Sequence, residues 1–157
     1  YKKKSFKRSV SGVEDENLNF SYSISLVSST KIDQVNILNA SLMAMKNSAS
    51  KFKSLIGPGN IIWIVDGPYA PKSFSKNREL EILPLIKGDS RSTLISFASI
   101  LAKYYRDKLM SVIGQEFPKY GLNKNMGYPT NEHREAIKKF GALPIHRKTF
   151  KGVKEYL

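Results

Sequence analysis

Cysteine is absent from the 157 residues, which excludes a disulfide framework and any thiolate-held metal. Histidine is nearly absent: the chain has His133 and His146, too few for a zinc cluster on their own. Acidic residues are scarce, with 13 Asp and Glu against 26 Lys and Arg and a formal net charge of +13. Any metal is therefore left mainly to oxygen ligands. The charge points to a polyanionic partner, because basic side chains that neutralise phosphates release counterions. An anionic membrane surface and plain solubility are the competing readings of the same charge. Long apolar runs are lacking as well. None approaches the roughly 20 residues needed to span a bilayer, and the basic start has no apolar signal region behind it, so a cytoplasmic protein is expected. The first residue is Tyr1 rather than Met, followed by KKKSFKR, which reads as the start of a fragment.

Hydrophobic residues make up 41% of the chain and aromatics 11%, enough for the core of one domain spanning 1–157. The first twenty residues are polar, and Glu14, Asp15 and Glu16 among them read as a solvated cluster. In FSYSISLV, Phe20, Tyr22, Ile24 and Leu26 alternate with polar neighbours, which predicts a half-buried strand. Ser28, Ser29 and Thr30 offer N-caps, and Ile32, Val35, Leu38, Leu42 and Met45 repeat with helical spacing up to Ser48 or Phe52. GPGN at 57–60 ends that helix, and IIWIVDG at 61–67 is a continuous apolar run of the kind found in buried central strands. The segment 67–79 reads as an exposed loop, followed by a strand over 80–86 and a long helix over 92–115. In that helix Leu94, Ala98, Leu101, Tyr105, Leu109 and Val112 mark one face. FPKYGLNKNMGYPT at 117–130 reads as a loop, and a last helix starts behind Thr130 and stops at Gly141. The order strand, helix, strand, strand, helix, helix predicts an α/β fold with at least part of its sheet parallel.

Asp66 and Asp89 each close an apolar segment. If the two strands are parallel neighbours, both carboxylates reach the same sheet edge, where hard oxygen ligands suit Mg²⁺ or Mn²⁺ and phosphodiester hydrolysis. The alternatives are a turn former for Asp66 and a helix N-cap for Asp89. Lys87, Arg91, Lys103 and Arg106 surround Asp89 in sequence with positive charge, and helix amides add a phosphate site. Lys103 and Arg106 fit equally well as solvated charges on a polar helix face. Tyr128 lies in a loop with Tyr120, Lys119 and Lys124, an interleaving that can stack a base or sugar, although a packing lid is the ordinary alternative. His133 and His146 read as helix-surface or structural hydrogen-bonding groups rather than metal ligands, and Asp107 and Glu116 as salt-bridge partners on or beside the long helix.

Taken together, SSTKIDQVNILNASLMAM at 28–45, WIVDG at 63–67, KGDSRSTLISFASILAKYYRD at 87–107 and the block 117–150 resemble ribonuclease HII, in the family's order. The resemblance implies a ribonuclease H-like α/β fold, a mixed sheet flanked by helices, here lacking its first strands. It implies an endoribonuclease that degrades the RNA strand of RNA/DNA hybrids and nicks at ribonucleotides embedded in duplex DNA, by two-metal-assisted hydrolysis. By the same resemblance Asp66 and Asp89 are catalytic, metal-binding acids for Mg²⁺ or Mn²⁺. Tyr128 packs on the sugar at the ribonucleotide–DNA junction, and Lys87, Ser92 and Arg91 border the substrate backbone. A monomer is expected. The family's DEAGRG motif, which supplies two further acids and the 2′-OH-reading backbone, does not occur in these residues. GVEDEN at 12–17 lacks its glycines and arginine and stands too near the Phe20 segment. YKKKSFK instead resembles the family's Asp-Ser-Lys segment, and Asn125 and Met126 stand where the family carries His and basic residues. The alternative for these 157 residues is a catalytically inactive, basic nucleic-acid-binding module.

Overall fold

The computed structural model describes residues 22–52, 61–71 and 80–157. The GPGN turn, most of the 67–79 loop, the Phe20 start of the expected first strand, GVEDEN and YKKKSFK lie outside them.

Helix α1 spans Ser29–Phe52. The Ser28 hydroxyl accepts the Lys31 N–H at 3.2 Å, as the Ser/Thr cluster predicts. The helix kinks at Asn36, whose backbone sits at φ 67, ψ 168. The Asn36 carboxamide oxygen accepts the Asn39 N–H at 3.0 Å, so the second helical segment begins with its own side-chain cap. The alternating segment ahead of α1 is not a strand: residues 22–28 carry no strand pairing. Alternation defines a face but supplies no ladder partner, and Tyr22 instead joins its hydroxyl to that of Tyr105 at 2.7 Å.

Strands β1 (Ile61–Asp66) and β2 (Leu80–Leu85) pair in parallel, with Asp66 opposite Leu85. The Gly67 N–H donates to the Leu85 carbonyl at 2.9 Å and carries the pairing one step further. Burial of β1 on both faces is not observed. Val65 is 3% exposed, but Ile62 is 59%, because among the described residues the sheet has two strands and is covered on one side.

A four-residue helix α2 (Gly88–Arg91) and the long α3 (Thr93–Glu116) follow, joined by Ser92 in extended conformation. The limits of α3 match the predicted 92–115 to a residue, yet its buried stripe is a different one. Ile95 and Gly114 are buried, whereas Leu94, Ala98, Leu109 and Val112 are exposed. The inward face is chosen by the neighbours, which are the β1 end and the 117–126 segment, and these lie on the Ile95 side. That segment is not a plain loop. It holds a 3₁₀ turn, Pro118–Tyr120, and a short α4, Leu122–Asn125, anchored by the burial of Tyr120 and Leu122.

Helix α5 (Asn131–Phe140) begins and ends as its sequence predicts. Thr130 Oγ1 accepts the His133 N–H at 3.3 Å, and Gly141, at φ 83, donates its N–H to the Ile137 carbonyl. His133, Ala136 and Ile137 face inward at the i, i+3, i+4 spacing of one helix face. They meet Tyr120, Leu122 and Val153 in a core flanked by Ile113, Phe117, Leu143 and Ile145. The C-terminal segment is tied back to α1. The Asp33 carboxylate accepts the Lys148 N–H at 2.8 Å, the Thr149 N–H at 3.0 Å and the Thr149 hydroxyl at 2.6 Å. The Thr149 hydroxyl, then the amides, hold the Asp33 carboxyl below the usual carboxylate range. No helix among the described residues is long and apolar enough to cross a membrane.

Candidate functional site

The parallel pairing carries Asp66 to the C-terminal end of β1, beside the turn that leaves β2. Within that turn Lys87 adopts the left-handed conformation at φ 54, ψ 43, which swings the chain back so that the Gly88 N–H donates to Asp66 Oδ1 at 2.8 Å. A side chain there would crowd its neighbours. A Cβ on Gly88 would stand 2.7 Å from Ile95 Cδ1 and 3.1 Å from Asp66 Oδ1. The strand-end Asp66 is thus bonded to the residue that precedes the first-turn Asp89, which is exposed. Asp89 is not the helix N-cap, since Lys87 precedes α2 and no side chain caps it.

The two carboxylates offer hard oxygen donors of the type Mg²⁺ and Mn²⁺ take. In chemical character they fit such an ion as a partial ligand set: among the described residues there is no group of three or more His, Cys, Asp or Glu side chains able to hold one. Beside Asp89 lies a shallow cavity of about 290 Å³ lined by Asp89, Ser90, Arg91, Ser92, Thr93 and Ser96. It opens at the start of α3, where unpaired helix amides favour an anion. Ser92 is half-buried there, and its hydroxyl caps no helix amide. Arg91 turns its guanidinium back to the Ile86 carbonyl at 3.3 Å, and Lys87 is exposed.

Tyr128 belongs to a second patch. It stands where Arg106 meets the 126–128 turn, thirteen residues into α3, or about 20 Å along the helix from its first residue. The Arg106 guanidinium lies 4.7 Å from the Tyr128 ring centroid. Lys103 bonds the Asp107 carboxylate at 2.5 Å, which raises the lysine's pKa. The sequence therefore missed Arg106 as a partner of Tyr128, since a stack between residues 22 apart in the chain leaves no local signal. It also missed the meeting of the two histidines. The Leu143 N–H donates to His146 Nδ1 at 2.8 Å, and the two Nε2 atoms are 3.3 Å apart. His133 Nδ1 donates to the Tyr120 carbonyl at 2.9 Å. These bonds assign a one-way chain in which His146 Nε2–H donates to His133 Nε2. Burial, then the neighbouring His133, pushes His146 down to about 4.

The parallel strand pair among helices makes this an α/β protein, and the family match gives it a ribonuclease H-like fold. The ribonuclease HII family matches residues 4–153. This chain belongs to that family. It is 45% identical over 152 residues to the ribonuclease HII of Flavobacterium psychrophilum, covering 87% of this chain and 68% of that one. Identity is also 45% to the ribonuclease HII of Desulfotalea psychrophila, over 85% of this chain and 57% of that one. For the Christiangramia forsetii ribonuclease HII it is 45% over 88% and 65%. The chain thus spans 57% to 68% of the length of these relatives.

Proposed function

We propose that the protein carrying this chain is an endoribonuclease, cutting the RNA strand of RNA/DNA hybrids and nicking duplex DNA at embedded ribonucleotides. The observation that supports it most is the Gly88 N–H to Asp66 bond, which joins the end of a parallel strand pair to the residue before Asp89, in a chain of net charge +13. In this reading Asp66 and Asp89 hold Mg²⁺ or Mn²⁺, which when bound lowers the pKa of a water and offsets charge at the scissile phosphate. The chain's own residues bind and orient. The Gly88 amide fixes one Asp66 oxygen, and the carboxylate so oriented would serve as a ligand. Ser92 and the α3 amides, with Lys87 and Arg91 nearby, receive backbone phosphate, and Tyr128 stacks on the sugar. The domain is a single catalytic unit, monomeric and cytoplasmic.

Asp66→Asn and Asp89→Asn in the complete protein are expected to abolish cleavage of a labelled hybrid while leaving salt-sensitive binding in place. Unchanged turnover in both variants overturns the assignment. Two carboxylates are few for a pair of cations, which favours a second reading for these 157 residues alone, an inactive hybrid-binding module. A Mg²⁺ titration of the chain, scored by nicking and by heat release, separates the two readings.

A further inference from the structure

We propose that Arg106 is a positioning residue for Tyr128, holding the ring so that its uncovered face meets a sugar. The inference rests on the sugar-facing reading of Tyr128 and adds the device that orients it.

Three observations carry it. Tyr128 is 53% exposed, yet one side of its ring is occupied by the Arg106 guanidinium, 4.7 Å from the centroid, a cation–π geometry. The guanidinium is itself braced. Asp107 Oδ1 lies 3.6 Å from Arg106 Nη1, and Asp107 Oδ2 takes Lys103 Nζ at 2.5 Å. Arg106 Nη1 and the facing Asp107 Oδ1 are both buried without a hydrogen-bond partner, so at this end of the group charge attraction and the stack on the ring act without a hydrogen bond. Finally, the turn that presents Tyr128 is pressed against the same stretch of α3. Met126 and Gly127 have φ of 50 and 74. A Cβ on Gly127 would meet Met110 Sδ at 3.2 Å and Arg106 Nη2 at 3.9 Å. The Asn125 carboxamide locks the turn from within, accepting the Gly127 N–H at 2.8 Å. The Tyr128 N–H donates to the Asn125 carbonyl at 2.8 Å. Backbone and ring are therefore referenced to α3, the helix that begins beside Asp89. A planar guanidinium suits this role better than an ammonium, because a planar cation can stack on an aromatic face.

The test uses the full chain labelled with 3-fluorotyrosine, the Tyr128 signal being identified by its loss in Tyr128→Phe. In Arg106→Ala that ¹⁹F signal is expected to shift while the other tyrosine signals and the melting temperature stay put. A duplex carrying one ribonucleotide and its all-DNA counterpart are then compared by anisotropy at fixed salt. Arg106→Ala is expected to cut the preference for the ribonucleotide about fivefold, with Arg106→Lys in between and all-DNA affinity changed less than about twofold. An unmoved Tyr128 signal in Arg106→Ala overturns the proposal. So does a full preference in Arg106→Ala when Tyr128→Ala has lost it. If Tyr128→Ala keeps the preference, or the parent chain has none, the sugar-facing reading of Tyr128 fails and the proposal falls with it.

Discussion

His146 shows how one residue can tie stability to pH. Its imidazole accepts the Leu143 amide at Nδ1, so a proton added there turns an acceptor into a donor facing a donor. Burial, then His133, lowers its pKa from 6.5 to about 4. Between these values the unfolded chain binds the proton and the folded chain does not, so stability rises with pH and is lost as pH falls. The contribution is complete above about 6.5 and is lost as pH drops to about 4. For a partly exposed group screened by solvent, roughly 1 kcal/mol is at stake. Urea unfolding at pH 7 and pH 5 is expected to show that difference in the parent chain and a smaller one in His146→Gln. An equal slope in both would assign the acid sensitivity elsewhere. The sequence left both histidines as helix-surface or structural groups, and burial of His133 with the hydrogen bonds of both selects the structural role. It could not pair them, because residues 133 and 146 belong to a helix and to a turn brought together by the core around Tyr120 and Ile137.

At the scale of elements, α3 is the member whose packing is most exacting. Gly114 lets it touch α4 backbone to backbone: a Cβ there would lie 2.6 Å from the Asn123 nitrogen. Backbone cannot swing aside like a flexible side chain, so Gly114→Ala is expected to cost about 1–3 kcal/mol. In a chain of this size that lowers the melting temperature by about 2–4 °C for each kcal/mol. A calorimetric scan unchanged from the parent would show that α4 yields. The limits of α3 were legible because hydrophobic period and polar flanks are local. Its inward face was not, since two apolar stripes overlap, one through Leu94 and Val112 and one through Ile95 and Ile113. Either satisfies helical spacing, and the contacts with Gly88 and Asn123 select the second. For the same reason alternation over 22–26 did not make a strand, while β1 and β2, each with a partner, did.

For the whole molecule the governing quantity is charge. With 26 basic and 13 acidic side chains, hybrid binding is expected to weaken at least about tenfold between 50 and 200 mM salt, by counterion release. Asp66→Asn should leave that slope unchanged, as anisotropy titrations at several salt concentrations would check. A flat salt response would remove the phosphate backbone from the account of the charge.

What the sequence determined by itself is whatever depends on neighbours a few residues away: the helix starts at Ser28 and Thr130, the stop at Gly141, the strand over 61–66, the net charge, and the motifs that mark the family. The tertiary structure alone decided that Gly88 binds Asp66, that Arg106 lies on Tyr128, that His146 meets His133, and that Asp33 clasps Lys148 and Thr149. Each of these joins groups 13 or more residues apart. Caps and periodicities are set by backbone geometry within one or two turns, whereas long-range contacts depend on which of several competing faces buries the most surface in the finished fold.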